Sequence, residues 1–183
     1  SALADYRRYF FRTPFTLAFR GMHYGRYGED AENRQFLSPL YLGYGGLVRG
    51  YGMNSFDVSE CSSGSGNGGG CPEFDRLVGS RLALANVELR VPLFGTSQFG
   101  LIPFPFLPTT VGAFFDAGVA WTADESPELT FATDSAERVP VASAGVFARF
   151  NVLGYVVVST WLAHPFQRPQ KDLQFGFELQ PGW

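Results

Sequence analysis

Alternation of apolar and polar side chains, in segments of about ten residues, is the feature that most constrains this fold. It is clearest in Arg81–Val91, where the odd-numbered positions from 83 onward are apolar and Asn86, Glu88 and Arg90 occupy even-numbered positions. Successive side chains of a β-strand point to opposite faces, so this segment predicts a strand with one apolar and one polar face. Because helical periodicity is nearly absent, we predict an all-β chain.

The same pattern predicts seven strands. They are Leu3–Arg12, Phe15–Tyr27, Arg81–Val91, Thr110–Trp121, Val141–Phe150, Tyr155–Ala163 and Asp172–Gln180. In the fourth, the outward positions are Val111, Ala113, Phe115, Ala117, Val119 and Trp121, and the inward positions are Gly112, Phe114, Asp116, Gly118 and Ala120. In the last, Leu173, Phe175, Phe177 and Leu179 are predicted to face outward, and Gln174, Gly176, Glu178 and Gln180 inward.

Composition and connection lengths favour a membrane barrel over a soluble β-sandwich. The chain has 19 Phe, 8 Tyr and 3 Trp with 17% charged residues, which is unusually aromatic for a soluble protein. No segment approaches the ~20 consecutive apolar residues of a membrane helix, whereas a membrane strand needs only every second residue to be apolar. The connections alternate between mostly short and mostly long and polar, as periplasmic turns and extracellular loops do. The exception is the Phe-Pro-rich connection Leu93–Pro108, which could lie at the membrane interface.

The number of predicted strands indicates that the barrel has further strands. Seven is odd, whereas single-chain bacterial barrels have an even number of strands, from about eight upward. An open sheet in hydrocarbon would leave backbone hydrogen-bonding groups unpaired. We therefore expect residues 1–183 to be the C-terminal part of one antiparallel transmembrane β-barrel, with the remaining strands upstream of Ser1.

The connection 28–80 is far longer than a hairpin needs. Its first half, residues 36–47, is apolar and rich in glycine, which predicts a folded loop packed against another surface. It leads into Val48-Arg49-Gly50-Tyr51, in which Gly50 permits a tight turn and Arg49 offers a planar cation that can bind a carboxylate through two hydrogen bonds. An arginine inside a barrel would need such a partner.

This tetrapeptide resembles the hallmark of the BamA superfamily, also called the bacterial surface-antigen barrel family. In that family a Val-Arg-Gly-Phe/Tyr motif lies on a long extracellular loop that folds back into the barrel lumen. The resemblance implies that acidic residues on the next two strands bind the arginine, and here those strands supply Glu88 and Asp116. Both residues fall on the inward face by strand alternation. The segments 114–118 (Phe-Phe-Asp-Ala-Gly) and 175–183 match the family in the same order.

The resemblance implies a sixteen-stranded barrel in the bacterial outer membrane that inserts or translocates proteins. The expected partners are outer-membrane lipid, unfolded outer-membrane or secreted client proteins, and periplasmic POTRA domains or accessory lipoproteins. A seam at the last strand would open sideways, and its residues are Phe175, Gly176, Phe177, Leu179 and Trp183. Gly176 reduces packing and Pro181 lacks an amide hydrogen, so pairing at this seam is expected to be weak.

Other functions stay open or are disfavoured at this point. A barrel that anchors or exports a fused or associated domain and a two-partner secretion translocator both fit the motif, whereas a passive porin would not explain it. A net charge of -3 without a basic cluster disfavours a nucleic-acid binder. No enzyme is predicted, because Ser159 and His164 have opposite strand parity and no third orienting group accompanies them. The glycine-rich tract Gly64–Gly70 lacks the Lys-Ser/Thr of a phosphate-binding loop.

The two cysteines predict a disulfide. Cys61 and Cys71 flank a Gly/Ser-rich segment that is flexible enough to let them meet, and we favour a disulfide in an oxidising compartment over free thiols. Two sulfurs without a nearby histidine form an incomplete ligand set, so neither a metal nor any other cofactor is predicted.

Overall fold

In the computed structural model, about half of the described residues lie in one β-sheet, whose long strands are antiparallel. The structure describes residues 1–28, 30–33, 37–56, 60–61, 71–130, 138–168 and 172–181. In chain order the strands are β1 (Ala2–Arg12), β2 (Phe15–Gly25), β3 (Leu40–Tyr41), β4 (Val78–Gly79), β5 (Arg81–Gly95), β6 (Ile102–Pro103), β7 (Thr109–Trp121), β8 (Val141–Val152), β9 (Val156–Pro165) and β10 (Gln174–Pro181). A 3-10 turn (Met53–Ser55) and a short helix α1 (Pro72–Asp75) lie between β3 and β4.

The long strands pair in chain order, β1-β2-β5-β7-β8-β9-β10, and each neighbouring pair is antiparallel. The short strand β6 pairs in parallel with the end of β5, and β3 pairs with β4 in a separate small sheet. Among the described residues, no strand pairs with the outer edge of β1 or β10. The all-β class and the antiparallel pairing are therefore confirmed, and the sheet formed by these residues is open rather than closed into a barrel.

The seven predicted strands all appear in order, with differences at their ends. β2 ends at Gly25, two residues earlier than predicted. β5 continues to Gly95 instead of ending at Val91, and its register against β7 shifts between Pro92 and Phe94. Proline has no amide hydrogen to donate to the neighbouring strand, so a shift at this position lets pairing resume one step further on. Alternation alone does not reveal a strand that continues past such a shift.

The predicted faces agree with the burial of side chains. We call the side of the sheet that packs against the described residues of the long loop 26–80 the inner face. On β5 the inner-face residues Leu84 and Glu88 are buried, while Leu89 on the outer face is exposed. On β10 the outward residues predicted from the alternation are exposed. Two residues depart from the predicted faces: Val119 is buried despite its outward parity, and Gln180, predicted to face inward, is exposed.

The main core lies between the inner face and the long loop 26–80. Its buried members are Leu40, Tyr41, Leu42, Val48, Tyr51, Leu77, Leu82, Leu84, Ala120 and Val141. Gly118 allows this contact, because a Cβ there would lie 2.9 Å from Leu42 Cδ1 and 3.0 Å from Val48 Cγ2. Burying one such side chain stabilises a fold by about 1.5–3 kcal/mol, so the loop is a packed layer of the structure.

A disulfide joins Cys61 to Cys71, which confirms the predicted pairing. Its second cysteine precedes α1, in which the backbone N–H groups of Phe74 and Asp75 donate to the Cys71 carbonyl oxygen. The tract Gly64–Gly70 and the C-terminal Trp183 lie outside the described residues.

Within the part of the chain that the structure describes, no helix is long and apolar enough to cross a membrane.

We predict that the close contact of β8 with β9 makes Gly145 intolerant of a side chain. A Cβ at Gly145 would lie 1.9 Å from the Leu162 carbonyl oxygen and 2.8 Å from Phe114 Cζ, whereas a Cβ at Gly21 would meet nothing within 4 Å. Gly145→Ala should lower the free energy of unfolding by about 1–3 kcal/mol through overpacking. The matched control Gly21→Ala should change it by less than ~0.5 kcal/mol. Equal urea midpoints for the two variants would contradict this packing.

Candidate functional site

Arg49 lies against the inner face at β5 and β7, bound to two carboxylates. Its Nε donates to Asp116 Oδ2 at 2.7 Å and its Nη2 donates to Asp116 Oδ1 at 2.8 Å, which makes a bidentate pair. Its Nη1 lies 2.9 Å from Glu88 Oε1. The structure thus brings together the three charged residues that strand parity and the family resemblance singled out. We call residues 48–51 together with Glu88 and Asp116 the arginine latch.

Strand register explains why both carboxylates are within reach of one guanidinium. Asn86 on β5 is the direct partner of Asp116 on β7, and Glu88 lies two residues further along the same face. The Asn86 amide also donates to Asp116 Oδ1 at 2.9 Å and to the Leu47 carbonyl oxygen at 2.7 Å. Asn86 therefore links the sheet to the loop. Sequence reasoning placed it on the inner face but gave it no role.

The three charged residues of the latch are buried. Arg49 is 6% exposed, Glu88 7% and Asp116 0%. Burying charges is unfavourable unless hydrogen bonds compensate for the lost water, and here the Arg49 backbone N–H adds a further bond to Asp116 Oδ2 at 3.2 Å. The Phe114 ring lies beneath the guanidinium, 3.6 Å from its carbon to the ring centroid, in a cation–π contact. The guanidinium is therefore held by hydrogen bonds in its own plane and by the Phe114 ring on one face.

The two carboxylates of the latch differ in how many cations they contact. Glu88 also accepts from Arg149 Nη2 at 2.8 Å and from Arg90 Nε at 2.8 Å. Asp116 contacts Arg49 and, on its other side, the uncharged amide of Asn86. Loss of Arg49 would therefore leave Glu88 neutralised by its neighbours and Asp116 buried without a cation. Asp116 is the partner on which the latch depends most.

The small residues of the motif set how closely the loop approaches β9. Val48 is fully buried against the core. Gly50 has φ +88°, a backbone conformation that favours glycine, and a Cβ at this position would lie 3.2 Å from Ala163 Cβ. The backbone conformation therefore favours glycine at Gly50, and the neighbouring Ala163 leaves little room for a side chain.

The Tyr51 side chain ties the motif to β8 and to the β9–β10 connection. Its hydroxyl oxygen lies 2.9 Å from the Ala142 carbonyl oxygen and 2.9 Å from Gln167 Oε1, and it accepts from the Gln167 backbone N–H at 3.2 Å. The Tyr41 hydroxyl donates in turn to the Tyr51 carbonyl oxygen. Burial raises the pKa of Tyr51 to about 12, so its hydroxyl stays protonated and can donate.

Arg168, in the β9–β10 connection, forms a second buried arginine contact that the sequence did not reveal. Its Nε and Nη2 each donate to Glu60 at 2.8 Å, and its Nη1 donates to the Gly50 carbonyl oxygen at 2.8 Å. The guanidinium carbon lies 3.9 Å from the centroid of the Phe56 ring. Arg168 therefore binds the loop at Gly50, next to Arg49, and at Glu60. No local pattern could pair Arg168 with a glutamate in another loop.

The tip of the loop reaches strands on both sides of the latch. Arg20 of β2 donates to the Gly46 carbonyl oxygen at 2.7 Å. On the other side, a Cβ on Gly45 would lie 2.6 Å from the Trp161 ring of β9. Beneath this tip lies a cavity of about 460 Å³, lined by residues of six long strands, including Arg7 of β1 and Glu178 of β10. The sheet therefore curves enough for both edge strands to face one space.

The predicted seam residues occupy β10, with one correction. Phe175, Phe177 and Leu179 are exposed on the outer face, as their parity predicted, whereas Trp183 lies outside the described residues. Gly176 was expected to reduce packing. Instead, the Trp161 indole from β9 covers it, and a Cβ on Gly176 would lie 2.5 Å from that ring. An aromatic ring over a glycine in an edge strand restores the missing packing.

Residues considered for other chemistry do not converge. Ser159 is buried on the inner face of β9, whereas His164 is exposed on the outer face, where its ring contacts the Asp172 carbonyl oxygen. These two side chains point to opposite sides of one strand and cannot act as a pair. Among the described residues, no group of three or more His, Cys, Asp and Glu side chains could hold a metal ion.

We predict that Arg49→Ala releases the loop from the sheet. The variant leaves Asp116 buried without a cation and should lose roughly 3–5 kcal/mol of unfolding free energy. Chymotrypsin should then cleave between residues 42 and 51, which contain several aromatic and leucine side chains. Arg49→Lys should show an intermediate rate, because one amine cannot make the bidentate pair.

The matched control for this experiment is Arg12→Ala, which removes an exposed arginine at the end of β1. It should leave the cleavage rate of the loop unchanged. Unchanged protection of residues 42–51 in Arg49→Ala would mean that the latch does not hold the loop.

Comparison of the chain with protein families, with characterised proteins and with solved structures found no match. The resemblance to the BamA superfamily therefore rests on the motif set alone.

Proposed function

We propose that residues 1–183 form part of a bacterial outer-membrane β-barrel that inserts or translocates other proteins. The observation that carries this proposal is the arginine latch: a long loop lies on the inner face of the sheet, bound through Arg49 to carboxylates on two adjacent strands. A simple structural barrel needs no such loop. The family resemblance implies this arrangement for barrels that insert or translocate proteins.

The polarity of the two faces supports a membrane location. The outer face exposes large apolar side chains in the middle of the sheet, among them Leu89, Phe115, Val146 and Leu162. The inner face carries the charged residues of the latch. Soluble proteins bury their apolar face and rarely expose an apolar surface this continuous, whereas a barrel in lipid has apolar residues outside and polar residues inside.

Closure of the barrel is part of the proposal. Lipid does not tolerate the unpaired backbone groups of an open edge, so strands beyond those described would pair with β1 and β10. The resemblance implies sixteen strands in total. The proposed partners are outer-membrane lipid, unfolded outer-membrane or secreted clients, and POTRA domains or accessory lipoproteins on the periplasmic side.

The edge of β10 is the proposed point of contact with clients. β10 has 8 residues and is the shortest of the seven long strands, and its last residue, Pro181, cannot donate a backbone hydrogen bond. A strand that pairs over a short length is more easily displaced, so an incoming client strand could add to this edge by β-augmentation. The Trp161 contact with Gly176 keeps the edge ordered until then.

A photo-crosslinking experiment tests this proposal. A photoreactive amino acid is placed at Leu179 in the full-length protein, and the matched control is placed at Val146. Both side chains are exposed on the outer face, but Val146 lies in mid-sheet between β7 and β9. We expect an unfolded outer-membrane client to crosslink at Leu179 and not at Val146, since side chains on neighbouring strands lie about 5 Å apart.

The identity of the crosslinked protein also distinguishes insertion from translocation. Capture of an outer-membrane barrel protein at Leu179 supports insertion, and capture of a secreted chain supports translocation. Crosslinking at Leu179 no stronger than at Val146 would contradict a client-handling role and favour a barrel that anchors another domain.

A further inference from the structure

The cavity of about 460 Å³ beneath the loop tip is rich in arginine. Five arginines line it: Arg7, Arg20, Arg49, Arg90 and Arg149. Arg49 belongs to the latch, where it pairs with Asp116. Arg7 and Arg20 share the carboxylate of Asp5 on β1. The latch and Asp5 therefore leave two arginines of this cavity, Arg90 and Arg149, to be accounted for.

Arg90 and Arg149, which we call the cationic pair, share one oxygen of one carboxylate. Arg90 Nε donates to Glu88 Oε2 at 2.8 Å, and Arg149 Nη1 donates to the same oxygen at 3.0 Å. Two cations this close repel each other, and Glu88 supplies a single negative charge that Arg49 also contacts. A guanidinium has five N–H groups, of which these contacts use only some. The cationic pair can therefore bind a further anion.

Both members of the cationic pair reach the cavity and are held in place there. The side chains of Arg90 and Arg149 are 30% and 28% exposed, so a ligand can contact them. The guanidinium carbon of Arg149 lies 4.5 Å from the centroid of the Phe147 ring, and that of Arg90 lies 5.5 Å from the centroid of the Tyr9 ring. These cation–π contacts and the bonds to Glu88 restrict both side chains before a ligand arrives. Donors that are already ordered lose little conformational entropy on binding.

Ser159 on β9 adds an uncharged donor beside the cationic pair. It is the direct partner of Arg149 in the pairing of β8 with β9, and it also lines the cavity. Ser159 is 6% exposed, and its hydroxyl oxygen has no hydrogen-bond partner among the described residues. Buried hydroxyls normally have a partner, because an unpaired one loses the hydrogen bonds that it makes in water. A ligand oxygen in the cavity would supply this partner.

The number of donors favours a phosphate group over a carboxylate as the ligand. A single guanidinium satisfies a carboxylate through two parallel hydrogen bonds. Here two guanidiniums and a neighbouring hydroxyl are available, and a phosphate group offers three acceptor oxygens and up to two negative charges. Cavities of about 300–1,000 Å³ hold small organic ligands, so this one has room for more than the phosphate. Rings of Tyr9, Phe147 and Trp161 line it and can pack against the organic part.

We propose that the cavity binds a small soluble molecule through a phosphate group, which is held by the cationic pair and Ser159. These donors lie on the inner face, away from the exposed apolar side chains of the outer face, which favours a soluble phosphate ester over a lipid headgroup. Glu178 on β10 lies directly opposite Ser159, makes no ion pair with a described residue, and would repel the phosphate. The inference uses the cavity alone and does not depend on the membrane location or on client handling.

Titration calorimetry of the full-length protein with glycerol 3-phosphate tests this site. The protein is kept in an uncharged detergent, and the urea midpoint of each variant is measured as a check of folding. We expect Ser159→Ala to weaken binding roughly 10- to 100-fold, the effect of one hydrogen bond to a charged group, without lowering the urea midpoint. Arg149→Lys should also weaken binding, because lysine keeps the charge but lacks the planar fork. The matched control Glu178→Gln, in the same cavity, should bind at least as tightly as the unmodified protein.

Several results of this titration would overturn the proposal. Absence of binding to the unmodified protein, or equal affinity in Ser159→Ala, would contradict the site itself. Equal affinity for acetate would contradict the choice of phosphate. Tighter binding of dihexanoyl phosphatidic acid, with the same dependence on Ser159, would assign these donors to a lipid headgroup instead. Weaker binding in Glu178→Gln would mean that the ligand is recognised through a positive charge.

Discussion

The buried pair between Arg49 and Asp116 is the interaction on which the arrangement of the loop depends. Asp116 is fully buried, and a buried carboxylate is unfavourable unless a cation and hydrogen-bond donors surround it. The cation comes from the long loop, so the sheet is satisfied electrostatically only when the loop lies on it. Placing Arg49 there also places Val48 and Tyr51, whose burial completes the core between loop and sheet. One ion pair therefore links the electrostatics of the sheet to its packing.

The two carboxylates of the latch depend on the loop to different degrees. Glu88 is shared with Arg90 and Arg149, which stay on the sheet whether or not the loop is in place. Asp116 has no cation other than Arg49 among its described contacts. If the loop leaves the sheet during a functional cycle, the carboxylate of Asp116 must find water or another donor. Of the two carboxylates in the latch, Asp116 therefore opposes loop movement more, while Glu88 mainly orients the guanidinium.

Sequence alternation was sufficient to locate the long strands and to assign their faces, because a strand repeats every two residues and one face here is strongly apolar. It also placed Glu88 and Asp116 on the inner face. It could not show the Arg168–Glu60 contact, because parity gives a direction and says nothing about which distant loops meet. The role of Trp161 over Gly45 and Gly176 was missed for the same reason. The end of β5 was misjudged because Pro92 interrupts the hydrogen-bonding pattern without ending the strand.

A double-mutant cycle between Arg49 and Asp116 tests most directly whether their pairing holds the loop. The free energy of unfolding is measured by urea titration for the unmodified protein, Arg49→Ala, Asp116→Ala and the double variant. We predict a coupling energy of at least about 2 kcal/mol, because Arg49→Ala leaves the Asp116 carboxylate buried without a cation, Asp116→Ala leaves Arg49 with Glu88 as its one carboxylate, and the double change removes both members of the pair. Additive effects of the two single changes would contradict the account and assign the position of the loop to apolar packing and to its other hydrogen bonds.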